Sequence, residues 1–414
     1  MPTLPIIHGR QETDAGTVRR ETLDLEFSNG ERRRYERICS RGHGAVMIAA
    51  IPEPGTVLLI REYSAGVHRY ELGLPKGRMD AGESVLEAAN RELKEETGFG
   101  ARTLTHLRAI TLAPGYMTHE IQLVLAEDLY PERLPGDEPE ELEVVPWRLD
   151  ALHELVLREA ALQLARDAGA AIMQVYAGDF DVEHKDDRSP LTEADMASHH
   201  LICDGLARLA PQWPVLSEES AAIDWGVRQA WTRYWLVDPL DGTREFVRKN
   251  GEFTVNIALV DAGAPIFGVI YAPAFDELYW AGRGVGAFIR DGGDDVPLAA
   301  RRPASAPLRV AASRSHRDPA SAAAIGRMGE IEPLGMGSSL KFCRMAQALL
   351  DVYPRFAPTS EWDTAAGQCI LEAAGGCVIT LDGAALAYNG KPSLLNPHFL
   401  ALGDPALPWR DWLE

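Results

Sequence analysis

GRMDAGESVLEAANRELKEETGF, residues 77–99, carries the most regular acidic spacing in the first half of the chain. On a helix Glu92, Glu95 and Glu96 stand at i, i+3 and i+4 and share one face. Like charges placed so cost an isolated helix about 0.2–0.5 kcal/mol per pair. A hard cation with a preference for oxygen ligands offsets that cost and pairs naturally with phosphate. Alone, three glutamates are an ordinary solvated face. Here they sit inside a longer spacing, G-x5-E-x7-R-E-U-x-E-E-x-G-U (U apolar), filled by Gly77, Glu83, Arg91, Glu92, Leu93, Glu95, Glu96, Gly98 and Phe99. Glycines at both ends allow tight turns, and the Gly77 carbonyl is free to serve as a further ligand.

Working outward, ETLDLEF and RRRYERI flank Ser28-Asn29-Gly30, a hairpin signal. AVMIAAI, TVLLIREY and IQLVLAEDL read as strands, and the acidic PERLPGDEPEELE as a loop. From Leu149 the pattern turns helical, and good helix formers fill Ala151 to Ala168. No Gly/Ser/Pro spacer marks a boundary, so helix is expected across the junction. Beyond it, helix-like and strand-like segments alternate, which argues for a layered α/β architecture.

A second set of acids lies in that half. WLVDPLDGT, residues 235–243, ends an apolar strand in Asp238 and Asp241, a pair able to clamp cations. The following Gly242 admits a phosphate to backbone N–H groups. VLSEES adds Glu218 and Glu219 at another strand end. EWDTAAG puts Asp363 before a small-residue helix start, where a phosphate anion is favoured.

The 414 residues suggest two or three domains, and 46% apolar with 25% charged is an ordinary globular balance. A net charge of −20 argues against nucleic acid and anionic membranes as partners. It leaves small phosphorylated molecules open, because a bound cation inverts local charge. Five scattered cysteines without a CxxC pair fit a reducing compartment, and the start of the sequence lacks a signal pattern. A cytoplasmic location and no membrane span are the expectation.

The box at residues 77–99 resembles that of the Nudix hydrolases. LIREYSAG, YELGLPKG, APGYM and DLYPERLPGDEPE are similar to the NudE-type branch, which hydrolyses ADP-containing compounds. The resemblance implies an α/β/α sandwich over residues 1–152 and attack by water on a pyrophosphate. It makes Glu92, Glu95, Glu96 and the Gly77 carbonyl ligands of Mg²⁺ or Mn²⁺, with Glu95 also counted as catalytic. Arg91 would orient the glutamates through Glu83. A downstream loop acid would act as base, with Glu138 preferred among Asp137, Glu138, Glu140, Glu141 and Glu143. Arg61 and Glu71 would meet substrate. In the branch, N-terminal strands pair across a homodimer.

The second set, with SPLTEAD, NGEFTVNIALVD, GSSLKFC and YPRF, resembles the lithium-sensitive phosphatase superfamily that includes inositol monophosphatase. The nearer likeness is to its 3'(2'),5'-bisphosphate nucleotidase branch. A five-layered α/β/α/β/α sandwich is implied over residues 153–414. Glu218, Asp238, the Leu240 carbonyl, Asp241 and Asp363 would hold Mg²⁺. Asp195, with Thr243 as hydroxyl partner, would hold or deprotonate the attacking water. Gly242, Thr243, Glu218 and Asp363 would face the substrate, and Lys341 and Arg314 would meet a second phosphate or the ribose. His199 and His200 read as structural. The expected outcome is a bifunctional hydrolase with both sites converging on AMP: one cleaves ADP-ribose, NADH or diadenosine polyphosphates, the other 3'-phosphoadenosine 5'-phosphate. The alternative is an inositol-phosphate phosphatase whose Nudix half is a non-catalytic ADP-ribose-binding regulator; the intact box argues against it.

Overall fold

A computed structural model describes residues 3–15, 18–39, 42–66, 69–178, 182–184, 190–291, 294–312 and 319–413. Arg314 lies outside them. The chain forms two compact units, Met1–Leu155 and Val156–Glu414. The division falls inside one helix, Leu152–Tyr176, which continues from a 3₁₀ turn at Leu149–Ala151.

In the first unit, Ile6–Ala15, Val18–Glu26 and Arg32–Cys39 form an antiparallel three-stranded sheet. Its second turn is the Asn-Gly hairpin, where Asn29 Oδ1 accepts from the Glu31 N–H at 3.1 Å. A mixed seven-stranded sheet runs in the order Glu143–Arg148, Thr56–Ser64, Ala45–Ala50, Glu120–Pro131, Phe99–Thr111, with Arg69–Gly73 and Lys76–Arg78 pairing at its side.

The box helix, Val85–Thr97, starts at a reciprocal Ser84–Glu87 capping box and stops at Gly98 in the left-handed region. Its apolar side chains Ala88, Ala89 and Leu93 pack on Val46, Ile48, Ala50 and Val124 of the sheet. That packing turns Glu92 and Glu96 into the rim of the sheet and leaves both buried. Leu152 and Leu155 close the opposite face over Val57 and Leu59.

In the second unit a seven-stranded sheet runs from Val215–Ser217 through Arg233–Asp241, Thr254–Asp261, Ala264–Ala272, Glu277–Gly282 and Gly286–Asp291 to Asp294–Leu298. Apolar residues fill both faces of its central strands, as a sheet covered on both sides requires. Trp235, Val237, Ile257 and Val269 meet Ala161, Leu162, Ile172, Ile202 and Leu206 from the helices Leu152–Tyr176 and Glu193–Leu209. Tyr234, Leu236, Ala258 and Ile270 face the helices Leu340–Ala346 and Ala365–Ala373. A five-stranded sheet lies beyond those helices, and Ala324, Met328, Trp409 and Trp412 cover its outer face. The order is helix, sheet, helix, sheet, helix: the five-layer α/β arrangement implied by the resemblance. Among the described residues no helix is long and apolar enough to cross a membrane.

Candidate active sites

Strand Arg233–Asp241 pairs Asp238 with Asn256 and Asp241 with Thr254, and the register shifts between the two pairs. Pro239 lacks an N–H, so the ladder breaks there and both carboxylates are released toward one side. Asp363 approaches from the 3₁₀ turn Glu361–Asp363, held by a reciprocal capping box in which its Oδ2 accepts from Ser360 N at 2.9 Å. Ligand atoms of Asp238, Asp241 and Asp363 come within 4.8 Å of one another. Burial, joined by the charges of Glu218, Asp241, Asp363 and Asp195, holds the Asp238 carboxyl far above its ordinary range. Burial, with Asp241 and Glu218, pushes Asp363 up to about 8. Glu218 is the first residue of the 3₁₀ turn after strand Val215–Ser217 and is half-buried.

Beside this triad lies a cavity of about 140 Å³, lined by Asp241, Gly242, Lys341 and Asp363. Gly242 takes φ +89° and opens the Thr243–Val247 helix; a Cβ there would sit 3.0 Å from the Glu252 carbonyl. Thr243 Oγ1 donates to the Leu240 carbonyl at 3.3 Å. Lys341 is buried, donates to the Ser338 carbonyl at 2.7 Å and lies over the Tyr353 ring. Burial lowers its pKa to about 8 against the opposing pull of Asp241. Glu245, Tyr353 and Arg355 line the cavity too, and sequence reasoning gave them no role. YPRF was visible as a segment, but nothing local showed that Arg355 would face Asp241 and Asp363.

In the first unit Arg91 gathers the box. Its Nε and Nη2 donate to Glu83 at 2.8 and 3.0 Å, and Nη1 reaches Glu92 at 2.9 Å and Glu95 at 3.0 Å. Glu96 accepts from the Lys76 backbone N–H at 2.8 Å, yet burial pushes it up to about 8. Burial likewise raises Glu92. The three glutamates, Gly77, Glu62, Lys76, Asp137 and Glu138 line one cavity of about 960 Å³. The loop acids thus face the box, and burial together with Glu62 and Asp137 raises Glu138. Arg61 and Glu71 do not line that cavity. Arg61 pairs with Glu143 across adjacent strands at 2.7 Å, and Glu71 is exposed.

Gly77 has a packing reason: a Cβ there would fall 2.0 Å from the Glu92 Cδ. Gly77→Ala should therefore displace that carboxylate and lower the first unit's turnover by roughly 10²-fold, the scale of an ångström-sized misplacement. An unchanged rate would show that Glu92 needs no such closeness.

Both donor sets offer carboxylate oxygens, with Glu92, Glu96 and Asp238 buried and Glu95, Asp241 and Asp363 half-buried, which is the chemistry that suits a hard divalent cation. A carboxyl raised by burial binds its proton more tightly folded than unfolded. Stability therefore falls as pH climbs from the ordinary carboxylate value toward about 8 for Glu96 and Asp363. Chelator-treated protein should melt lower at pH ~8 than at pH ~6, and Mg²⁺ should raise the melting temperature more at the higher pH, because ligands bind deprotonated. Melting curves with and without chelator check this; a flat pH response would contradict it.

Residues 154–403 match the family model of the inositol monophosphatase family. Residues 41–170 match that of a NUDIX domain, and residues 5–37 that of a NudE-type Nudix hydrolase N-terminal domain. A 3'(2'),5'-bisphosphate nucleotidase CysQ of Shigella flexneri is 52% identical over 239 residues, 57% of this chain and 96% of its own. The crystal structure of CysQ from Bacteroides thetaiotaomicron is 39% identical, covers 60% of this chain and 97% of its own, and has a TM-score of 0.53. A crystal structure of an ADP compounds hydrolase is 48% identical, covers 37% of this chain and 84% of its own, with a TM-score of 0.35; the Nudix assignment stands on the family models. Fold, acid clusters and matches define a hydrolase in which a Nudix unit precedes a phosphatase unit. The chain belongs to the inositol monophosphatase family, with CysQ-type nucleotidases among its relatives. Both families are in general dependent on divalent metal ions.

Proposed function

We propose that the chain carries two independent activities: pyrophosphate cleavage of ADP-containing compounds in the first unit, and removal of phosphate from 3'-phosphoadenosine 5'-phosphate in the second. The observation that carries the second is the carboxylate triad set against a cavity that also presents Lys341 and Arg355. One phosphate would lie by the acids, and a second anionic group would meet the two cations. Glu218, Asp238, the Leu240 carbonyl, Asp241 and Asp363 would hold Mg²⁺, which supplies charge neutralisation of the phosphoryl oxygens. Asp195, with Thr243 as its hydroxyl partner, would hold or deprotonate the attacking water. Gly242 lets the phosphate approach the backbone.

In the first unit, Glu92, Glu95, Glu96 and the Gly77 carbonyl would hold Mg²⁺ or Mn²⁺. Arg91 aligns Glu92 and Glu95 through its shared Nη1. Asp137 and Glu138 both line the cavity with them, and Glu138, the preferred loop acid, would take a proton. Both reactions yield AMP. Product analysis of the purified chain with Mg²⁺ against ADP-ribose, NADH, diadenosine polyphosphates, bisphosphate nucleotide and inositol phosphates tests the reading. Inositol phosphate turned over in preference to nucleotide would overturn its second half.

The three-stranded sheet ends in the strands Ile6–Ala15 and Arg32–Cys39, with Ile6, Ile7 and Tyr35 exposed. Exposed edges and apolar side chains invite pairing. These features support a homodimer through this unit, for which light scattering at micromolar concentration should return twice the chain mass; a monomer would refute it.

A further inference from the structure

The helix Glu193–Leu209 carries Asp195 in its first turn. One turn later it is fastened at two consecutive positions to two different strand ends. Ser198 Oγ donates to the Pro239 carbonyl at 2.8 Å, and Pro239 stands between Asp238 and Leu240. His199 Nδ1 shares a hydrogen bond with Ser217 Oγ at 2.9 Å, and Ser217 immediately precedes Glu218. Ser198 and Ser217 are both fully buried, at 0% exposure. Asp195, Ser198 and His199 stand at i, i+3 and i+4, so one helix face carries all three. Cys203, a further turn on, brings its Sγ to 3.5 Å from the same Nδ1. Burial pushes that thiol up to about 11, which leaves it a neutral neighbour of the ring. His200 is exposed and has no comparable place.

We propose that Ser198 and His199 are positioning residues of the phosphatase site: together they hold Asp195 in register with the two strand ends that bear Glu218, Asp238 and Asp241. The inference rests on the nucleotidase reading. The strand ends need such a tie. Val215–Ser217 pairs with Arg233–Asp241 over three residues only, ending at Ser217 with Val237. Beyond Val237 the chain turns at a proline that offers no ladder N–H. The bond from Ser198 fixes the carbonyl of that turn, and the bond from His199 fixes the other strand's last residue. Partners that orient ligands without touching substrate typically account for roughly 10–100-fold in metal affinity or activity.

The test uses the full chain with Ser198→Ala, His199→Ala, His199→Asn and His199→Phe. Ser198→Ala and His199→Ala should lower phosphatase kcat by roughly 10–100-fold, with KM for the bisphosphate nucleotide and the pyrophosphatase rate at wild-type values. His199→Asn, whose amide can still bond Ser217, should recover most of kcat, and His199→Phe should not. Mn²⁺ binding, followed by spin resonance of the free ion in a Glu92→Gln/Glu95→Gln background, should weaken by a similar factor in both alanine variants. Wild-type kcat and wild-type Mn²⁺ affinity in those variants would overturn the proposal. So would recovery by phenylalanine as complete as by asparagine, which would reduce His199 to ring packing. If the wild-type chain fails to turn over the bisphosphate nucleotide, the nucleotidase reading falls, and the Mn²⁺ affinities decide the positioning roles on their own.

Discussion

Glu95→Gln should abolish pyrophosphate cleavage and leave phosphate release from bisphosphate nucleotide at its wild-type rate; Asp241→Asn should do the reverse. Among the described residues the two cavities share none: one is built from residues between Gly42 and Glu138, the other from residues between Asp241 and Thr364. Each substitution keeps the side chain's shape and removes one carboxylate charge. At Glu95 the change removes one of the two anionic partners of Arg91 Nη1. Asp241 loses charge from a triad whose ligand atoms lie within 4.8 Å. A metal-binding carboxylate contributes several kcal/mol of charge stabilisation, and each ~1.4 kcal/mol is tenfold in rate, so turnover should fall on the order of 10³-fold. Paired assays of both reactions on each variant check this, with circular dichroism to show that the protein is folded. Loss of both activities from either change in folded protein would defeat the two-site reading.

The parts of this architecture that could be read from sequence are those whose residues are neighbours in the chain. The box is a single helix, so its periodicity alone put Glu92, Glu95 and Glu96 on one face, and the capping residues Ser84 and Gly98 delimit it. DPLDGT, SEES and EWDTAAG each end or begin an element, so their acids could be read as site candidates one at a time. Their convergence depends on contacts between elements far apart in sequence. Asp241 meets the Ser339 N–H, and Ser339 Oγ in turn donates to Asn256. Arg355 reaches the cavity from a different sheet. The same limit applied to Arg61: its partner Glu143 is 82 residues away, on a strand whose register no local pattern specifies. His199 and His200 look alike in sequence. The contacts of His199 with Ser217 and Cys203, and the exposure of His200, distinguish them.

The largest expected loss of stability comes from a network none of whose residues lines either cavity. Arg290, with 8% of its side chain exposed, lies between two carboxylates. Its Nη1 and Nη2 donate to Glu159 at 2.6 and 3.1 Å, and its Nε and Nη2 donate to Asp295, both at 2.8 Å. Trp280 Nε1 adds a bond to Asp295 at 2.8 Å, while Arg158 pairs with Glu159 and lies over the Trp280 ring. Burial alone would raise Glu159 and Asp295. The hydrogen bonds and charge of Arg290 hold both below the ordinary carboxylate range. Arg290→Met preserves volume but leaves two half-buried carboxylates facing one remaining cation. Removing one partner of a fully buried pair costs about 3–5 kcal/mol, and the partial exposure of both carboxylates brings the loss here to the lower end of that range. For a unit of this size that is a drop on the order of 10 °C in the melting temperature of the phosphatase unit. A depressed carboxyl contributes stability above its unfolded pKa and loses it as pH falls through the folded value. The deficit of the variant should therefore be largest near neutral pH and shrink as pH falls below ~4. Thermal inactivation of phosphate release, measured at several pH values, reads this directly. A wild-type melting temperature at neutral pH would show that Arg158 neutralises both carboxylates unaided. A deficit independent of pH would assign the loss to packing of the arginine stem instead of to charge.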